Sequence, residues 1–163
     1  MKKYSFPPVV DENSKILILG SMPGERSLQL NQYYGNPTNQ FWKIISFITG
    51  DNFNTTYETK KILLLKNHIA VWDVLMHCER EGSMDANISD EVPNDFNSFF
   101  LNYPKIKSVF LNGNKAAQMF SKYNLLVVGK TFTNLPNTSS ANTSMNLDKK
   151  AQLWKTRVLK YNE

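Results

Sequence analysis

An α/β sandwich with a mainly parallel sheet is the fold this sequence predicts, and three observations carry it. Short apolar runs alternate with helix-like stretches along most of the 163 residues, the pattern of βαβ units. The first run, Lys15-Ile16-Leu17-Ile18-Leu19, is continuously apolar and stops at Gly20, as a strand buried on both faces does. Apolar residues make up 41% of the chain, with 10 Phe, 7 Tyr and 3 Trp, enough to fill the core of one domain spanning residues 1–163.

Taken in order, residues 1–14 are an irregular lead-in, because Pro7-Pro8 breaks any helix. The strand at 15–19 opens into a loop rich in Gly, Pro and Asn, Ser21 to Thr38. Phe41, Ile44, Ile45 and Ile48 then repeat at helical spacing before Gly50, a helix with a natural terminator. Residues 57–67 read as a helix with Ile62 and Leu65 on one face, and Ile69–Val74 as the second strand. A polar loop follows from about His77 to Asp90. A helix over Asp95–Tyr103 lies between Pro93 and Pro104. Ser108–Leu111 is a third strand and Gly113–Tyr123 a further helix. Leu125–Val128 and Thr131–Leu135 compete as the fourth strand, and the second is favoured because it would deliver a loop at Leu135-Pro136. Leu147–Leu159 closes the chain as a helix. Ligands in parallel sheets sit at the carboxyl ends of strands, so the loops after Leu19, Val74, Leu111 and Leu135 are the ones to inspect.

Charge is unevenly spread. Residues 1–100 hold 9 Lys/Arg against 12 Asp/Glu, and residues 101–163 hold 10 against 2, so the net charges are −3 and +8. A basic third suits an anionic partner, nucleic acid above all, and suits equally a solvated basic surface. With Cys78 the one cysteine, and His68 and His77 the only histidines, an internal disulfide is impossible. Neither a thiolate-ligated cluster nor a multi-histidine metal centre is expected. No apolar run reaches the roughly 18–20 residues of a membrane span. The opening MKKYSFPPVV, followed by Asp11-Glu12, argues against a signal peptide. The expected location is therefore the cytoplasm.

Several apparent motifs fail. Gly129-Lys130-Thr131 lacks the first glycine of a phosphate-binding loop, because position 124 is Asn. Gly20-Ser21-Met22-Pro23-Gly24 has its serine one place too early for a nucleophile elbow. Two loops hold. Gly20 to Gly24 leads on to Tyr33-Tyr34-Gly35-Asn36-Pro37-Thr38-Asn39-Gln40-Phe41-Trp42. Its glycines permit close backbone approach, Asn39 offers an amide at the strand mouth, and Tyr34 and Phe41 are flat enough to stack on a base. Leu135–Ser144 is dense in small hydrogen-bonding residues and lies in the basic third, as a loop that contacts phosphates would. Each also has a plainer reading: Asn39 as a helix cap, Phe41 and Trp42 as core, Ser139–Asn142 as a turn.

Together these segments resemble the uracil-DNA glycosylase superfamily. GSMPG and YYGNPTNQFWKII are similar to the first motif of its mismatch-specific branch, and LNGNKAA (111–117) and LPNTSSAN (135–142) to later segments in the same order. Met22 stands where that branch carries its catalytic asparagine. That departure, with Tyr33-Tyr34 and Arg80-Glu-Gly-Ser-Met-Asp85, resembles the hypoxanthine (deoxyinosine) DNA glycosylase family, in which the asparagine at the helix start is thought to serve instead.

The resemblance implies a three-layer α/β/α sandwich with a short, mainly parallel central sheet. It implies a monofunctional glycosylase that flips a deaminated base out of DNA and hydrolyses its glycosidic bond without metal or cofactor, as a monomer. Asn39 and Asn137 are then the catalytic candidates. Gly20, Ser21, Met22, Pro23, Tyr34 and Phe41 would form the base pocket, with Phe41 stacking on the base. Ser139, Ser140, Asn142 and Lys130 would hold DNA, and Arg80, Ser83 and Asp85 would support the loop. Asp73 could orient a loop through its carboxylate, and His77 is a bystander. An amide is no strong general base, so a broad pH range is expected. Rival readings are a uracil, xanthine or mismatch specificity, a catalytically silent nucleic-acid-binding module, and a small-molecule hydrolase.

Overall fold

The computed structural model describes residues 1–123 and 127–160. In chain order the elements are β1 (Lys2–Tyr4), β2 (Ile16–Gly20), α1 (Glu25–Leu30), α2 (Phe41–Thr49), α3 (Tyr57–Lys66), β3 (Ile69–Asp73), β4 (Leu75–Glu79), a 3₁₀ turn (Asp85–Asn87), β5 (Ser89–Pro93), α4 (Phe96–Asn102), β6 (Ser108–Asn112), α5 (Asn114–Lys122), β7 (Thr131–Leu135) and α6 (Leu147–Leu159).

Four strands form a parallel sheet in the order β3-β2-β6-β7. β2 is central and every residue in it is buried, which explains its continuous apolar run. Successive side chains alternate between faces. Ile16 and Ile18 meet α2, α3 and α6 through Ile44, Ile45, Leu64 and Trp154 on one side. Leu17 and Leu19 meet α4 and α5 through Phe96, Phe99, Ala116 and Phe120 on the other. This is the three-layer α/β/α arrangement. Trp154 is fully buried and donates its indole N–H to the Pro136 carbonyl at 2.8 Å. Truncation to Ala there would cost about 3–5 kcal/mol.

Three local expectations are corrected. The lead-in contains β1, and the stretch read as a polar loop overlaps the end of β4 and the start of β5. The three form a second, antiparallel sheet, β1-β4-β5, pairing Lys2 with Glu79 and Leu75 with Pro93. These strands are short, bulged and partly exposed, so no apolar alternation marks them. α1 lies inside the Ser21–Thr38 loop and buries only Ser27, so no apolar stripe announces it. In α3 the buried position is Leu64, and Ile62 is exposed. Thr131–Leu135 is indeed the fourth strand. Half of its competitor, Leu125–Val128, lies outside the described residues, and Val127 and Val128 belong to no strand. No described helix is long and apolar enough to cross a membrane.

Candidate active site

A cleft of about 560 Å³ opens at the carboxyl ends of the parallel strands. Gly20 ends β2, Asp73 ends β3, Asn112 ends β6, and Asn137 follows β7 by two residues. All four line the cleft. The position is the one parallel topology favours, and the volume lies within the roughly 300–1,000 Å³ usual for ligand sites.

The floor is polar. A Cβ on residue 20 would stand 2.7 Å from Asp73 Oδ1 and 3.4 Å from the Tyr34 hydroxyl. Glycine is what lets both groups close on this turn. Asp73 is 4% exposed, and among the described residues its carboxyl accepts one hydrogen bond, from Ser5 Oγ to Oδ2 at 2.8 Å. Burial pushes its carboxyl up to about 7; the Ser5 bond and the charge of Arg80 oppose the rise, and Asp85 adds to it. Asn112 is fully engaged. Its Nδ2 donates to the Tyr34 hydroxyl and to Thr138 Oγ1, both at 3.1 Å, and its Oδ1 accepts the Thr138 N–H at 3.0 Å.

The Gly20–Gly24 turn is braced from the β4–β5 side. Ser21 Oγ donates to Asp85 Oδ1 at 2.7 Å, and Ser83 Oγ accepts the Glu25 N–H at 2.7 Å. Arg80, 2% exposed, donates from Nη2 to the Pro23 carbonyl, while its Nε and Nη1 meet no acceptor among the described residues.

The facing wall comes from the loop before α2. Tyr34 is held at φ +53, with its carbonyl accepting the Trp42 indole N–H at 3.1 Å. Asn39 lines the cleft, and its Oδ1 accepts the Phe41 N–H at 2.9 Å. Gln40 ties this loop to the one after β7: its N–H meets the Thr138 carbonyl at 2.9 Å, and its Oε1 accepts from the buried Lys150 ammonium at 2.7 Å. In the second loop, Asn137 Oδ1 accepts the Ser139 N–H at 2.7 Å, and Asn142 Nδ2 donates to the Asn137 carbonyl at 3.2 Å.

Most residues singled out from the sequence thus gather here. Gly20, Ser21, Met22, Pro23, Tyr34, Asn39, Asn137, Ser139, Asn142, Ser83 and Asp85 all line the cleft. Ser140 sits exposed at the junction of the two loops, donating to Thr38 Oγ1 at 3.1 Å. Two expectations are not met. Phe41 is fully buried and lies behind Tyr34, whose ring stacks on it at 3.8 Å and 14°. The aromatic face next to the cleft is therefore Tyr34. Lys130 precedes β7, so it lies at the amino end of the sheet, away from the cleft. Its ammonium donates to the Ile106 carbonyl and sits over the Phe100 ring. Sequence alone gives Asn112, Thr138 and Lys150 no individual role. The strand-end rule applied to Leu111-Asn112 would have found the first; the other two are tertiary contacts without a local signal.

The profile of the Uracil DNA glycosylase superfamily matches residues 7–159. The chain belongs to that superfamily. Among curated relatives in it, a hypoxanthine DNA glycosylase of Methanosarcina acetivorans is 39% identical over 155 residues, covering 93% of this chain and 96% of the relative. A hypoxanthine DNA glycosylase of Methanosarcina barkeri is 43% identical over 119 residues, covering 72% and 75%. A solution NMR structure of a Methanosarcina acetivorans protein, described as a candidate uracil DNA glycosylase, superposes with TM-score 0.86 at 36% identity over 100% of both chains.

Proposed function

We propose that this protein is a hypoxanthine DNA glycosylase, which flips deoxyinosine from the duplex and hydrolyses its glycosidic bond. One observation carries the reading: a relative named for that activity matches 93% of the chain. The cleft supports it. The Gly20–Gly24 turn has Met22 in place of a polar side chain, and amides reach the cleft from the loops before α2 and after β7, among them those of Asn39 and Asn137.

A purine entering this cleft would lie against Tyr34, with Asp73 and the Gly20–Met22 backbone beneath it. The buried Tyr34 phenol is raised above its ordinary value and stays protonated, able to donate. Ser139, Ser140 and Asn142 lie on the loop beside the opening and suit phosphate contacts, which position the duplex without reading its sequence. The reaction breaks C1′–N9 through an oxocarbenium-like sugar, so the site gains most by stabilising the departing base.

Duplexes carrying a single deoxyinosine, deoxyuridine or deoxyxanthosine, treated with excess protein and then alkali, test the proposal. Strand cutting at deoxyinosine is expected. Cutting confined to deoxyuridine would refute the specificity, and no cutting of any duplex would refute the activity.

A further inference from the structure

Taking a base out of a duplex leaves a gap in the stack, and an apolar side chain inserted there replaces part of the contact that is lost. A polar side chain fills the gap poorly, because its hydrogen-bonding groups find few partners between base faces. A filler must stand exposed at the opening of the cleft in the free protein. The loop after β7 offers no large one: from Asn137 to Ser144 it reads Asn-Thr-Ser-Ser-Ala-Asn-Thr-Ser. Within the walls, Met22, Pro23 and Tyr33 are buried, and Tyr34 is half-buried with its ring stacked on Phe41. Met84 differs from all of these. It is 67% exposed, and among the described residues it is the only exposed large apolar side chain that lines the cleft.

Its backbone is held from both sides. Met84 stands immediately before the 3₁₀ turn Asp85–Asn87, and its carbonyl accepts the Asn87 N–H at 3.1 Å. Both neighbours are tied to the segment after β2. Asp85 accepts from Ser21 Oγ, and Ser83 Oγ accepts the Glu25 N–H, each at 2.7 Å. Further back, the Gly82 carbonyl accepts from Lys3 Nζ at 3.0 Å. Further on, Ile88 is buried in the core. The Met84 side chain itself joins neither core cluster. A fixed backbone therefore holds out a slender, flexible and polarisable thioether chain, suited to packing on the face of a ring.

We propose that Met84 is the wedge of this protein: when deoxyinosine turns into the cleft, the Met84 side chain enters the gap and packs against the flanking bases and the base left unpaired. The proposal rests on the reading that the protein excises hypoxanthine from duplex DNA. It gives the two lips of the opening different tasks. The small polar residues after β7 suit the phosphate backbone, and the loop between β4 and β5 fills the stack. Met84 makes and breaks no bond; it lowers the free energy of the flipped state and so acts before hydrolysis.

Truncating so exposed a side chain leaves the fold intact, so Met84→Ala reads the contact alone. Single-turnover release of hypoxanthine is measured from two duplexes, one with deoxyinosine opposite cytosine and one with it opposite a stable abasic analogue. In the second, no unpaired base remains to be packed and flipping is already eased. On the cytosine duplex, Met84→Ala should be roughly tenfold slower than wild type, the scale of one lost thioether–ring contact with its apolar burial. Met84→Leu should stay within about threefold there. On the abasic duplex, the Ala loss should shrink to under about threefold. A Met84→Ala rate within about threefold of wild type on the cytosine duplex, or losses of equal size on both duplexes, would overturn the proposal.

A fluorescence measurement needs no excision. In a duplex with the abasic analogue in place of deoxyinosine and 2-aminopurine beside it, a side chain entering the gap changes the stacking, and so the emission, of the 2-aminopurine. Saturating wild type should change the emission, and saturating Met84→Ala should lose most of that change. No change with wild type, or the same change with both proteins, would overturn the proposal. Wild type that releases no hypoxanthine from either duplex would defeat the functional reading, and the emission would still decide the wedge.

Discussion

Asp73→Asn should stabilise the protein, and more at pH 8 than at pH 5. The carboxyl is buried at the end of β3, with one hydrogen bond from Ser5, and its folded-state value is pushed from 3.8 to about 7. In a raised carboxyl the folded state holds a proton that the unfolded chain has released. Stability from that proton is complete below pH 3.8 and is lost as pH rises through about 7. With each unit worth about 1.4 kcal/mol, ionisation costs the fold roughly 1.5 kcal/mol at pH 5 and roughly 4 kcal/mol at pH 8. Asparagine is neutral throughout and its amide oxygen can still accept the Ser5 hydrogen bond, so the variant escapes this penalty. Urea unfolding at the two pH values reads the difference. With slopes of about 1–3 kcal/mol/M, the midpoint gain at pH 8 should exceed that at pH 5 by about 1–2 M. Equal gains at both pH values, or a loss at pH 8, would refute the account of Asp73 as a destabilising group kept for its place in the cleft.

Lys150→Met should slow base excision roughly tenfold or more, because the ammonium on Gln40 Oε1 steadies the residue beside Asn39. Its DNA affinity and salt slope should match wild type in filter binding; a weaker, flatter salt response would make Lys150 a phosphate contact instead. Gly113→Ala forces a side chain at φ +97 onto Asn137, and should cost about 1–3 kcal/mol in thermal unfolding along with most of the activity. Lys130→Ala, at the far end of the sheet, should leave excision within about twofold of wild type, since surface changes remote from a site are close to neutral. A large loss of DNA affinity there would restore Lys130 to the interface.

Where the chain announces its structure, a single physical signal suffices. Ile16–Leu19 is apolar throughout because β2 is covered on both faces, and Phe41, Ile44, Ile45 and Ile48 repeat because α2 buries one side. Once those elements are placed, the strand-end rule leads to Gly20 and to the Asn39 and Asn137 loops. The small sheet stays hidden, because β1 depends on pairing with β4 some 75 positions away, as with Lys2 and Glu79, and β4 and β5 pair through an irregular, bulged register, not through periodicity. Phe41 was legible as an aromatic but its cover was not: only the φ +53 of Tyr34 turns that ring onto it. Lys130 misleads because nearness in sequence to the 135–144 loop is separated in space by the length of β7. Arg80 is expected from the resemblance to support the loop, but its burial and its bond to the Pro23 carbonyl appear only with the tertiary fold.

The central claim is that this cleft releases hypoxanthine and that Asn39 is needed for it. The most direct measurement is chromatographic detection of the free base after incubating a deoxyinosine duplex with stoichiometric protein. Wild type should release one hypoxanthine per duplex, and a folded Asn39→Ala variant should release it at least a hundredfold more slowly, the scale of losing one preorganised donor. Release at the wild-type rate by that variant, or no free hypoxanthine from wild type, would contradict the account.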